Sequence, residues 1–103
     1  MMDKYILVNK EVVPAPSVEE WGEWWENHNN RRVAQETIGD VRISTVFLGL
    51  DHGFKPVNHC NPPIVFETMI FGGKHNDYQE RCCTWDDAIK MHKAAVELVK
   101  SDN

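Results

Sequence analysis

Basic residues are in short supply in this sequence. Eleven lysines and arginines stand against 16 acidic residues, a formal net charge of −5 over 103 residues. Binding to a phosphate backbone usually needs a basic face, because cations must replace the counterions released. Arg31-Arg32 is the one local basic pair, so non-specific nucleic-acid binding is disfavoured. Cysteine is equally sparse. Cys60, Cys82 and Cys83, an odd set with two neighbours, make a poor disulfide framework and point to a reducing compartment. No run approaches the roughly 18 apolar residues that span a bilayer. Met1-Met2-Asp3-Lys4 leads into only four apolar residues, too few for a signal-peptide core. These absences predict a cytoplasmic protein without membrane contact. The sequence also has no GxSxG elbow, P-loop, HExxH motif or deaminase-type HxE with PCxxC, and no internal repeat.

What is present suffices for one core. The apolar fraction is 42%, with four Trp, four Phe and two Tyr, and the length fits a single domain over residues 1–103. Tyr5–Val8 and Glu11–Val13 flank Asn9-Lys10 and read as a hairpin, ended by Pro14-Ala15-Pro16. Ser17 with Glu20 is a capping box that starts a helix at Val18. Val18, Trp21 and Trp25 share one face of it, and Asn29-Asn30 closes it. Gly39-Asp40 is a two-residue turn between strands Val33–Ile38 and Val41–Leu50. That turn puts Ala34, Ile38, Val41, Ile43 and Phe47 on one side, with Val33, Val46 and Leu48 on the other. Apolar groups on both sides predict a central or twice-covered strand pair.

Residues 51–63 lack periodicity, and connections that long are usually functional or mobile. Ile64–Phe71 is the next strand, Gly72-Gly73 and the polar residues to Asp77 turn it, and Tyr78–Cys83 returns. Thr84 with Asp87 caps a last helix whose apolar stripe is Trp85, Ala88, Ile89, His92, Ala95, Val96 and Val99. The predicted fold is α+β: an N-terminal hairpin and an antiparallel meander of about four strands, with two amphipathic helices on one face.

Several constellations could carry chemistry. Asp51, His52, His59 and Cys60 are zinc-type ligands but match no standard spacing, and the plain reading is a polar loop without metal. Adjacent Cys82 and Cys83 point to opposite strand faces, so one packs and the other is half exposed. Glu67 and Arg81 fall on one face about a diagonal apart, as an ion pair or as a grip on phosphate or carboxylate. Thr45, Phe47 and Met69 could share that surface, an aromatic beside an arginine and an acid suiting a nucleotide. Trp21, Trp24 and Trp25 cannot all point inward from a thin helix. Trp24 is the expected outlier and, with Trp25, a partner or oligomer anchor; packing against the hairpin is the alternative. His28 reads as a surface residue in the last helical turn, and His92 as a core histidine. Asp51 and His52 near Glu67 could do acid–base work.

Two blocks add a biological setting. Gly39 to His52 (GDVRISTVFLGLDH) and Pro63 to Gly73 (PIVFETMIFGG), followed by Arg81 and the Trp85 cap, resemble small uncharacterised proteins of tailed phages and prophages. The resemblance spans roughly residues 31 to 99. It implies no catalytic residue, and the loop after His52, with Asn58, His59, Cys60 and Asn61, departs from the Gly-rich form of relatives. Together these readings predict a non-catalytic phage accessory protein, without cofactor, in the host cytoplasm. It would bind and neutralise a host-defence component, with sequestration of a nucleotide immune signal favoured. The expected ligand residues are Thr45, Phe47, Asp51, His52, Glu67, Met69 and Arg81. The alternatives are an inhibitor docking on a defence protein, a Trp24-mediated oligomer, and a small metal-dependent or acid–base hydrolase using Asp51, His52 and Glu67.

Overall fold

A computed structural model describes residues 4–50 and 63–101. The chain opens with β1 (Tyr5–Val8) and β2 (Glu11–Pro14), paired with Val8 opposite Glu11. The two residues between them carry positive φ, 51° at Asn9 and 71° at Lys10. That is the primed turn whose twist matches the strands it joins.

Helix α1 (Val18–Glu26) starts at the capping box, with Ser17 Oγ accepting from Glu20 N at 3.1 Å. It stops sooner than its periodicity suggests. Asn27 caps its end and also caps α2 (His28–Arg31), accepting from Asn29 N at 3.0 Å. His28 therefore opens a new helical turn instead of closing the old one, and its Nδ1 meets Arg31 Nη2 at 2.7 Å.

The main sheet is an antiparallel meander of β3 (Arg32–Ile38), β4 (Val41–Phe47), β5 (Phe66–Phe71) and β6 (Gln79–Cys82), in that order. Gly39, at φ +59°, makes the β3–β4 turn. A register shift between Arg32 and Ala34 inserts a bulge at Val33. The extra residue reverses the alternation, so Val33 packs on the core beside Phe47 instead of on the opposite side. β4 is an interior strand and β3 an edge.

Helix α3 (Trp85–Ser101) is capped by Thr84 Oγ1, which accepts from Asp87 N at 3.1 Å. It lies across all four strands and buries Ala88, His92, Ala95, Val96 and Val99. One end of its stripe meets Ile43 and Ile70. The other meets Phe47, Val65 and Phe66, where Tyr5, Leu7, Val12 and Trp24 join from the hairpin and α1. Burying Phe47 and Phe66 contributes about 1.5–3 kcal/mol for each ring. Helices α1 and α3 and the hairpin pack on this side of the sheet, giving the α+β architecture expected. No described residues form a helix long and apolar enough to cross a membrane.

The three tryptophans of α1 are arranged otherwise than expected. Trp24 is turned inward, edge-on to Phe47 with ring centroids 5.4 Å apart. Trp21 and Trp25 instead stack on each other at 5.1 Å, flanked by Lys4 and Arg31 over their outer faces. The stack rests on Gly49, whose carbonyl accepts from Trp21 Nε1 at 3.2 Å. Gly49 has φ +75°, and a Cβ there would stand 2.6 Å from the Trp25 ring. Gly49→Ala should cost about 2 kcal/mol or more, from the left-handed backbone and the collision together. Gly22, inside α1 with open space around it, should respond oppositely, Gly22→Ala adding about 0.5–1 kcal/mol. Urea denaturation of the two variants tests both signs.

Candidate ligand-binding face

Side chains alternate along β5, and the alternation sorts the candidate residues into two groups. Phe66, Thr68 and Ile70 point to α3 and are fully buried. Glu67, Met69 and Phe71 point away from it, opposite Val46, Ser44 and Arg42 of β4. On the other flank Glu67 pairs with Arg81 and Met69 with Gln79 of β6.

Glu67 and Arg81 are thus directly opposite, not diagonal. Arg81 Nε donates to Glu67 Oε2 at 2.9 Å, and Gln79 Nε2 donates to the same oxygen. The carboxylate is largely covered while the guanidinium is not, with side-chain exposures of 11% and 40%. At the other end of the strip, the Arg42 guanidinium lies 4.5 Å from the centre of the Phe71 ring. Phe71 is one of the few large apolar residues left exposed, at 37%. Arg32 joins this side through its pairing with Val46. The face therefore carries three arginines and one glutamate on a chain whose net charge is negative. Sequence reading missed Arg42, Phe71 and Gln79. The signal was there, since Arg42 and Phe71 share the parity of Ser44 and Met69 once the turn at Gly39-Asp40 sets the register.

Thr45 and Phe47 do not belong to this surface. Thr45 is fully buried and Phe47 is 1% exposed, both under α3. Their parity is opposite to that of Val46, the residue facing Glu67, so they cannot share a surface with Glu67 and Arg81. Asp51, His52, His59 and Cys60 lie outside the described residues. Among the described residues no group of three or more His, Cys, Asp or Glu is placed to hold a metal.

Thr45 has a structural role. Its Oγ1 shares hydrogen bonds with Thr68 Oγ1 and, at 2.7 Å, with His92 Nδ1. The other ring nitrogen of His92 stands 3.3 Å from Glu36 Oε1 without a well-aligned bond. Acid, imidazole and hydroxyl follow one another as in a hydrolase triad, but the hydroxyl belongs to a fully buried residue. The chain of bonds fixes α3 against β4 and β5.

A cavity of about 720 Å³ lies elsewhere, between the hairpin and the start of α3. Its walls include Tyr5, Val12, Pro14, Pro63 and Trp85, with Lys10, Glu11 and Asp86 as mixed charges. Size favours it, yet these charges form no set converging on one ligand group. The sheet face is the better candidate, because Gln79 and Arg81 converge on Glu67 there.

The Cys82 thiol is held away from its reactive, ionised form. Cys82 packs on the core beside Phe66, while Cys83 lines the cavity. Burial pushes the Cys82 thiol up from an ordinary value near 9 to about 11, with a hydrogen bond from the Thr84 backbone opposing the rise and Asp87 and Cys83 adding to it. Burial, then Glu80, also raises the Tyr78 hydroxyl.

Two outcomes follow. Thr45→Val keeps the shape but leaves His92 Nδ1 and Thr68 Oγ1 without their partner, and should lower stability by about 1–3 kcal/mol, measured by urea unfolding. The thiolate is the reactive form, so alkylation of Cys82 in the folded protein should stay slow at pH 9 and accelerate only toward pH 11. A thiol whose folded pKa is raised binds its proton more tightly when folded. Its contribution to stability is therefore complete below pH 9 and lost as pH rises through 11. Iodoacetamide labelling across that range, read by mass spectrometry, checks the first part. No protein-family model, curated protein or solved structure matches the chain.

Proposed function

We propose that this is a non-catalytic binding protein whose working surface is the outer face of the main sheet, and that it captures a nucleotide-type ligand. The observation that carries the reading is the pairing of a flat cationic platform, Arg42 on Phe71, with an anchored arginine, Arg81 on Glu67. Bases stack on aromatic rings and guanidinium planes, and an arginine fork suits phosphate oxygens. Local positive charge on an acidic chain supports selection of a small anion over a long polyanion, which the remaining acidic surface would repel. With the phage resemblance as setting, the ligand is a nucleotide signal of host defence, and holding it intact would deny it to its receptor. Thr45 and Phe47 are no part of this site; Glu67, Met69 and Arg81 are retained, and Arg42, Phe71 and Gln79 are added.

A thermal-shift screen of the purified protein against nucleotide second messengers tests the reading. A ligand present at 100 times its Kd should stabilise the fold by about 2.7 kcal/mol. The ligand released by heat should be recovered unchanged on chromatography, and Arg81→Ala should sharply reduce the shift. Recovery of a cleaved product would instead favour an enzyme. A flat response to every nucleotide would favour a protein partner.

A further inference from the structure

The two polar stations on the outer face are separated along β5. Phe71, which pairs with Arg42, and Glu67, which pairs with Arg81, lie four residues apart on the same strand. At the rise of an extended strand that is about 13 Å, and Arg42 and Arg81 sit on opposite flanking strands, which adds to their separation. The base of a mononucleotide stands closer than this to its own phosphate. Between the stations runs Met69, half-buried, with Ser44 beside it on β4 and Gln79 on β6. This middle ground is a shallow apolar track with a polar group on either side.

The Arg81 end is built in one orientation. Its Nε is taken by Glu67 Oε2, and that carboxylate is held in turn by Gln79. The Arg81 side chain stays 40% exposed although its Nε is committed to Glu67. The fork that binds oxyanions bidentately is therefore the part of Arg81 left for a ligand. Glu67 acts through Arg81 as a positioning residue and does not itself meet the anion. At the Arg42 end the guanidinium is spread over a ring, a geometry that favours a flat partner over a point charge.

Resting on the nucleotide reading above, we infer that the ligand is a dinucleotide, linear or cyclic, with one base at Arg42 and Phe71 and a phosphate at Arg81. A mononucleotide reaches one station at a time. A dinucleotide reaches both, and its second contact forms at the high effective concentration set by the first.

Isothermal titration with mononucleotides of all four bases, and with the matching linear and cyclic dinucleotides, tests this on the intact chain. At least one dinucleotide should bind about tenfold tighter or better than its mononucleotide, the lower side of what two linked contacts give. Arg42→Ala and Arg81→Ala should each bring it back to the mononucleotide level. Arg81→Lys, which keeps charge and bulk but loses the fork, should do nearly the same, and covers the case in which the alanine variant fails to fold. Equal affinity for mono- and dinucleotides would overturn the two-station arrangement and leave the nucleotide reading standing, as would a dinucleotide preference that survives all three substitutions. Absence of binding by every nucleotide would remove both.

Discussion

Strand β5 is hydrogen-bonded on both flanks and roofed by α3 on one side. Its two-residue side-chain period therefore leaves no choice about what meets the helix and what meets solvent. Phe66, Thr68 and Ile70 must fill the space under α3. The hydroxyl of Thr68 is admissible there because Thr45 and His92 complete its bonds; an unpartnered hydroxyl in the same place would cost what a missing hydrogen bond costs. Everything on the far side follows from this constraint. A one-residue slip would carry Glu67 under the helix and Phe66 into water, so the register that builds the core also presents Glu67, Met69 and Phe71 as a strip.

The charge distribution makes sense in the same frame. Glutamates crowd the exposed face of α1, and aspartates the first turn of α3, where the helix dipole favours them. Arginine is concentrated on the outer face of the sheet. A weakly acidic protein can thus carry a cationic surface without becoming a general binder of nucleic acid, because the remainder of its field opposes a long polyanion.

Much of the fold was legible in the chain. The hairpin at Asn9-Lys10, the caps at Ser17 and Thr84, the turn at Gly39-Asp40 and the stripe of α3 are local signals whose physics lies within a few residues, and each is found where the pattern places it. What was not legible depends on register or on distant contacts. The bulge at Val33 has no strong local signature, so its side was misassigned. Trp24 turns inward because Phe47, 23 positions on, offers an edge-on partner, while the bare backbone of Gly49 gives Trp21 and Trp25 a seat. Asn27 ends α1 through a cap that serves two helices at once. For the candidate surface, Glu67 and Arg81 were readable as a pair, but Thr45 and Phe47 were set beside them although strand parity puts those two under α3.

The hairpin is attached to the rest of the molecule in a particular way. β1 and β2 form a sheet of their own, joined to the end of β4 by the Lys4–Leu50 bridge and a bond from Tyr5 N to Gly49 O. Two strands alone are marginal in water, so their order is borrowed from Phe47, Val65 and Phe66 beneath them. The molecule is therefore layered in cooperativity. Residues 4–31 form a unit that can open at a lower free energy than the meander under α3, and amide exchange in that unit reports the grip of a few aromatic contacts, not the stability of the whole. The outer sheet face belongs to the layer that costs more free energy to open, so the spacing of its side chains does not depend on the N-terminal layer.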